Sequence, residues 1–136
     1  MRLPFEFAAL RGDRLLFSGH LPQTADGSVV QTLGKVGAEV TVEQGYEAAK
    51  LTMLAILGSI EREIGDLDRI VSWNRIFGMV NSAPGFTQQP AVINGASDLL
   101  IAVFGAEKGA HTRSAVGVAE LPLNIPVEIE GEATIR

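Results

Sequence analysis

The sequence predicts an α+β domain in which a mixed or antiparallel β-sheet carries both of its helices on one face. Three observations point there: two amphipathic stretches of helical length, a larger number of short apolar runs bounded by turn residues, and the order β-β-loop-α-β-α-β-β, in which several strands are joined by connections too short for a crossover helix. Phe5, Phe7 and Ala9 fall on alternate positions, Gly12-Asp13 supplies a turn, and Leu15-Leu16-Phe17 resumes an apolar run. That pattern predicts an N-terminal hairpin closing at Ser18-Gly19-His20-Leu21-Pro22. Residues 23–38 are rich in glycine, threonine and small polar side chains and read as a loop with room for a short strand at Val29-Val30.

The first helix is expected to start near Thr41, whose hydroxyl can cap the free amides of the first turn while Gln44 reaches back, the reciprocal pattern of a capping box. Val42, Tyr46, Ala49, Met53, Ile56, Ile60 and Ile64 are spaced by three or four and form its apolar stripe, which Gly65-Asp66 ends. Leu67 to Phe77 reads as a strand. A turn at Ser82-Ala83-Pro84-Gly85-Phe86 leads to a second helix from about Pro90 to Phe104, with Val92, Ala96, Leu99, Leu100 and Val103 as its buried face and Pro90 where a first-turn proline is tolerated. Ser114 to Leu121 and Val127 to Ile135 read as the last two strands, and in the final one Glu128, Glu130 and Glu132 alternate with apolar or small residues.

Composition narrows the class. The 136 residues form a single domain over 1–136, with no cysteine, 11 basic against 16 acidic side chains and a net charge of −5. Disulfide scaffolds, thiolate nucleophiles and zinc-thiolate sites are thereby excluded. Scattered basic residues in an acidic chain argue against a nucleic-acid groove. The N-terminal residues lack the apolar core of a signal peptide, so a cytoplasmic protein is expected, and no uncharged run is apolar enough to span a membrane. An apolar content of 46% with only 20% charge is high for so small a chain. Part of the surface is expected to be covered by another subunit, the open face of the sheet being the natural place.

Few residues carry recognisable chemistry. Arg113, in Gly109-Ala110-His111-Thr112-Arg113-Ser114, precedes the small, apolar run Ala115-Val116-Gly117-Val118-Ala119. A guanidinium there can clamp a carboxylate with two parallel charge-assisted hydrogen bonds, or it can simply be an exposed arginine leading into a strand. Glu128 can hold a water or donate a proton, or it can belong to a solvated row with Glu130 and Glu132. His20 and His111 show no metal-ligand spacing, no metal or cofactor is expected, and no G-x-S-x-G elbow is present.

Taken together, Ser18-Gly19-His20-Leu21-Pro22, Asn94, and the stretch from Arg113 to Pro122 followed by Val127-Glu128-Ile129-Glu130 resemble the RidA family, also called YjgF or endoribonuclease L-PSP-like. The specific part is R-S-x-V-x-V-x-x-L-P followed by V-E-I-E. The resemblance implies a chorismate-mutase-like fold, a homotrimer with clefts between subunits, and hydrolysis of 2-imino or enamino acids to 2-oxo acids and ammonia without a cofactor. Carried over by position, Arg113 would pair with the substrate carboxylate and Glu128 would assist catalysis. Phe5, Ser18, Gly19, His20, Asn94 and Ala115 would line the substrate site. Three positions depart from the archetype: Phe5 replaces a tyrosine, His20 a glutamine, and Ala115 a common cysteine. The fuller pattern, with Gly37-Ala38-Glu39 and Glu43-Gln44-Gly45-Tyr46, resembles a distinct branch. The departures allow an alternative, a trimeric module that binds a small carboxylate without turning it over, and one of the family's names adds an endoribonuclease, which the charge disfavours.

Overall fold

A computed structural model describes residues 2–136. Strands β1 (Ala8–Arg11), β2 (Arg14–His20), β3 (Ile70–Asn81), β4 (Thr112–Val118) and β5 (Val127–Ile135) form one sheet, with helices α1 (Val42–Ile64) and α2 (Gln89–Lys108) inserted before and after β3. The sheet order is β1-β2-β5-β3-β4, antiparallel throughout except for the parallel pair β3 and β4, which α2 connects. This is the expected mixed α+β architecture. A short turn joins the antiparallel pair β1 and β2, β5 enters between β2 and β3, and the one parallel pair uses a helical crossover.

Local chemistry accounts for the two helices. Thr41 Oγ1 accepts the Gln44 amide at 3.1 Å while Gln44 Oε1 accepts the Thr41 amide at 2.9 Å, so the expected capping box is present. Ala49, Met53, Ile56, Ile60 and Ile64 are buried along α1, and the Gly65 amide closes it on the Glu61 carbonyl. Helix α2 buries Val92, Ile93, Ala96 and Leu100, but Val103 is 53% exposed and lies off the face assigned to it. The face is rotated because Gly95 packs directly on α1: a Cβ there would overlap the Tyr46 carbonyl oxygen. Helical geometry breaks at Gly105, and the Gly109 amide returns to the Gly105 carbonyl at 2.9 Å.

The strands depart from the simple alternation in two places. The first strand begins only at Ala8, and Phe5 and Phe7 precede it as exposed rings in edge-on contact at 5.7 Å. In β3 the buried side chains Ile70, Trp73 and Ile76 are three apart, because the register with β5 shifts between Ile70 and Ser72 and again between Trp73 and Arg75. Each bulge adds a residue and returns an apolar side chain to the helix side. Leu67–Arg69 is a short 3-10 turn, not the start of the strand, and β4 begins at Thr112, two residues before the expected start. The loop before α1 carries isolated bridges between Gln23 and Val29 and between Val36 and Val40, and Val36 also bridges Ser82 just after β3.

On the helix side, Leu15, Phe17, Ile76, Val80, Ile129 and Ala133 from the sheet meet Met53, Ile56, Ile60, Ile93 and Leu100 from the helices in one core. The other face is open and bears Glu128, Glu130 and Glu132 beside Met79, Phe77 and Arg75. At the far end of β3, the buried Asn81 side-chain amide donates to the carbonyl of Ile125 at 3.1 Å and accepts Lys35 Nζ at 2.9 Å, which ties the long loop to the strand ends.

The helix contact at Gly95 is directly testable. Gly95→Ala is expected to destabilise the fold by about 1–3 kcal/mol through overpacking. Gly58→Ala on α1, where the nearest atom to a new Cβ is Arg62 Nη1 at 3.4 Å, is expected to be neutral or stabilising by up to about 1 kcal/mol. Denaturant titration of both variants measures the contrast.

Candidate functional site

The residues singled out by sequence fall into two groups in one chain. The first surrounds the end of β2. Ser18 Oγ donates to the Glu6 carbonyl at 2.6 Å and the Ser18 amide donates to the Phe7 carbonyl at 2.9 Å, which docks the Phe5 segment alongside. Gly19 lets Glu128 approach: a Cβ at Gly19 would overlap Glu128 Oε2 and lie 3.0 Å from its Cδ. Phe5, Ser18, Gly19 and Glu128 therefore share one end of the sheet. An open groove of about 430 Å³ begins at Ser18 and runs across the uncovered face past Leu16, Arg75, Glu130 and Glu132.

His20 stands behind this group. It is 5% exposed, Nδ1 donates to the Ser18 carbonyl at 2.6 Å, and Nε2 accepts Ser59 Oγ of α1 at 2.8 Å. A carbonyl can only accept, so Nδ1 carries the proton and Nε2 is the acceptor. Burial pushes the His20 imidazole below its ordinary value, with the Arg62 charge adding to the effect against the pull of the Ser18 carbonyl. Its side chain thereby ties the end of β2 to α1.

The second group lies at the opposite edge of the sheet. Arg113 pairs in register with Ile76, on the side covered by α2. Its Nη1 donates to Ser97 Oγ at 3.0 Å and its Nη2 to the Pro90 carbonyl at 3.3 Å. Both acceptors belong to α2. Asn94 follows Pro90 by four residues and precedes Ser97 by three, so it shares that helix face and is exposed beside the guanidinium. Ala115, two residues after Arg113, is half-buried against the core on the edge strand β4, whose outer backbone groups have no strand partner.

Arg113 is half-buried, yet its two partners are neutral oxygens. Among the described residues the one side-chain ion pair is Arg14 with Glu132, at 2.5 Å on the open face. Of the five guanidinium N–H groups, two are engaged and three remain, enough for a bidentate carboxylate. Sequence reasoning missed Ser97, which accepts from Arg113 and is 2.8 Å from His111 Nε2. The detectable signal was the i, i+4, i+7 spacing of Pro90, Asn94 and Ser97 on the helix that follows the turn.

Glu128 faces the other way. It pairs with Met79, which pairs with Val116, whereas Arg113 is three residues back along β4. Two strand spacings and three residue rises separate the two positions by roughly 14 Å within the sheet, with the side chains on opposite faces. One chain therefore does not bring Arg113 and Glu128 to one small molecule. Burial, and then the Glu130 charge, raises the Glu128 carboxyl above its ordinary range, whereas Glu132 is lowered by its bonds to Arg14 and then Asn74. His20 ends β2 and His111 precedes β4, with β5 and β3 between those strands, and no cluster of three metal-ligating side chains occurs among the described residues. No helix of the described residues is long and apolar enough to cross a membrane.

Residues 4–129 match the family described as "YjgF/chorismate_mutase-like, putative endoribonuclease". Protein TCP17 of Trypanosoma cruzi is 43% identical over 119 residues, which cover 88% of this chain and 73% of the relative. The crystal structure of Atu1372 from Agrobacterium tumefaciens, a protein of unknown function, superposes with a TM-score of 0.92 at 36% identity over 98% of this chain and 82% of that one. Escherichia coli TdcF, solved with bound serine, has the same fold, with a TM-score of 0.66 at 21% identity over 100% of this chain and 91% of its own.

The environment of Glu128 makes a pH-dependent prediction. A carboxyl whose value is raised by folding favours the fold while protonated and opposes it once ionised, so its stability contribution is lost as pH rises from the ordinary carboxylate range through the raised value. Glu128→Gln is expected to raise Tm at about pH 7 and to have little effect at about pH 3, where both states are protonated. Gly19→Ala is expected to displace the Glu128 side chain and so to reduce this pH dependence, as read from Tm against pH.

Proposed function

This chain belongs to the YjgF/chorismate mutase-like family, and from that premise we propose that it is a cofactor-free deaminase of 2-imino and enamino acids, with sites in clefts between the subunits of a homotrimer. The observation that carries the reading is Arg113. A half-buried guanidinium held by neutral oxygens, without a carboxylate partner among the described residues, is a cation kept available for an anionic ligand. A 2-imino acid presents its carboxylate beside an electrophilic carbon, and a small carboxylate metabolite is the partner expected. The separation of Arg113 from Glu128 supports assembly, because a substrate a few ångströms long can touch both only if they come from adjacent subunits. The open sheet face, with Leu16 and Val116 exposed and Phe77 and Met79 half-covered, is the surface such an assembly would bury.

In the proposed reaction Arg113 fixes the carboxylate and the protonated imine carbon accepts a water. Glu128 takes a proton from that water as the C–O bond forms, giving a carbinolamine. Glu128 then gives that proton to the nitrogen and takes up the hydroxyl proton as the C–N bond breaks, so that ammonia leaves as the carbonyl of the 2-oxo acid forms. Burial suits Glu128 to this exchange, since raising a carboxyl above its ordinary range makes its anion a stronger base. The Ser18-Gly19 backbone and the Ala115 carbonyl are assigned to holding the water and the imine nitrogen, Asn94 to the carboxylate end, and Phe5 to the apolar wall. Orientation and charge complementarity supply most of what such an electrophilic carbon needs.

A second reading, binding without turnover, is favoured by one observation: Phe5 lacks a hydroxyl and both His20 ring nitrogens are engaged, which leaves Glu128 as the proton carrier among the site residues named around β2. Cleavage of RNA is disfavoured, because Glu128, Glu130 and Glu132 line the open face and repel phosphate.

Release of 2-oxo acid from freshly generated 2-iminopropanoate tests the proposal. Wild-type protein is expected to accelerate it, and Arg113→Ala to lower kcat/KM about a hundredfold, equivalent to ~3 kcal/mol for a lost charge-assisted pair. Glu128→Gln is expected to lower kcat with little change in KM. Arg113-dependent binding of pyruvate by calorimetry with no acceleration would select the binding module instead.

A further inference from the structure

We propose that Ser97 and His111 are positioning residues that hold the Arg113 guanidinium ready for a carboxylate, through a directed chain of hydrogen bonds ending on the Gly109 carbonyl. The proposal rests on Arg113 being the carboxylate clamp and names what organises it. The chain has one consistent direction. The Gly109 carbonyl, 2.7 Å from His111 Nδ1, can only accept, so Nδ1 carries the ring proton when the imidazole is neutral. Nε2 is then an acceptor, and the Ser97 hydroxyl 2.8 Å away donates to it. With its proton committed to His111, Ser97 Oγ turns lone pairs outward and accepts Arg113 Nη1 at 3.0 Å. The Pro90 carbonyl takes Nη2 at 3.3 Å, so the two terminal nitrogens are both tied to α2 and the fork is held in one plane.

The same construction occurs a second time. Arg62 Nη2 donates to Ser59 Oγ at 3.2 Å, Ser59 is 2.8 Å from His20 Nε2, and His20 Nδ1 donates to the carbonyl two residues back. His111 likewise donates to the carbonyl two residues back. Both histidines of the chain are thus oriented by a local carbonyl and each fixes a helical serine. The difference lies at the far end: Arg62 is exposed and held at one nitrogen, whereas Arg113 is half-buried and held at both terminal nitrogens. An arginine side chain loses rotamer freedom when it is immobilised, and a relay that immobilises it before the ligand arrives removes that cost from binding.

The test uses full-length 15N-labelled protein and pyruvate as the probe. In the wild type, at a pH where the imidazole is neutral, His111 is expected to carry its proton on Nδ1, and the Arg113 guanidinium is expected to give separate Nη signals from hindered rotation. Ser97→Ala should collapse those signals to free rotation and weaken pyruvate binding five- to tenfold. His111→Phe should have a smaller effect in the same direction, and Ser97→Thr, which keeps the hydroxyl, should stay within twofold of wild type on both measurements. Unchanged pyruvate affinity and unchanged Arg113 rotation in a folded Ser97→Ala protein whose parent requires Arg113 for binding would overturn the relay while leaving the clamp intact. Failure of the wild type itself to bind pyruvate, with Arg113 still visibly held by Ser97, would overturn the clamp and with it this role for the relay.

Discussion

The seating of α2 against α1 is the contact from which the geometry of this protein follows. Gly95 allows the backbones of the two helices to approach until a single added carbon would strike the Tyr46 carbonyl, and Tyr46 Oη reaches Asp98 Oδ2 at 2.7 Å one turn further on. That approach sets both the rotation and the position of α2 above β3 and β4. Ile93 is thereby pressed over Gly78, where a side chain would collide with it, and the Pro90 carbonyl and Ser97 hydroxyl are presented to Arg113. A packing constraint in the core thus becomes a distance in the site. Small shifts of a helix are costly in close-packed interiors, so the guanidinium inherits the rigidity of the helix pair.

The sheet divides the chemistry between its two sides. Arg113 belongs to the helix-covered side at one edge strand, and Glu128 belongs to the open side on the central strand β5. Each is electrostatically incomplete in its own way: the cation has neutral partners, and the carboxylate has a like charge nearby and no cationic partner. Arg14 and Glu132, by contrast, satisfy each other on an exposed surface where such a pair contributes little to stability. The two incomplete groups are the ones that a ligand, or a neighbouring copy bringing the complementary half, would complete. This gives physical content to the high apolar fraction of a small chain, since the uncovered face and the unpaired edge of β4 are both surfaces that association would remove from water.

Much of the architecture was legible from local rules. The capping box at Thr41, the apolar stripe of α1, the Gly12-Asp13 turn and the alternation of β5 follow from interactions among residues close in sequence, and each is present. The departures arise where distant elements act. Two bulges in β3 replace alternation with a spacing of three because the strand must keep Ile70, Trp73 and Ile76 under the helices while pairing with β5. Val103 reads as core by periodicity, but the Gly95 contact turns it outward. The site shows the same split. Arg113 and Glu128 stand out from their flanking residues, whereas Ser97 is an ordinary serine in a helix and His111 an ordinary loop histidine until α2 is folded onto β4.

By itself the sequence determined the α+β class, the order of elements, the helix starts and the family motif around Arg113, because capping, turn chemistry and hydrophobic period act over a few residues. Only the tertiary structure decided which sheet face each functional side chain occupies, that His20 is a core residue with both nitrogens satisfied, and that Ser97 and His111 stand behind Arg113. The reason is that strand register and bulges assign faces, and helix packing assigns neighbours. Both depend on long-range contacts that no window of adjacent residues contains.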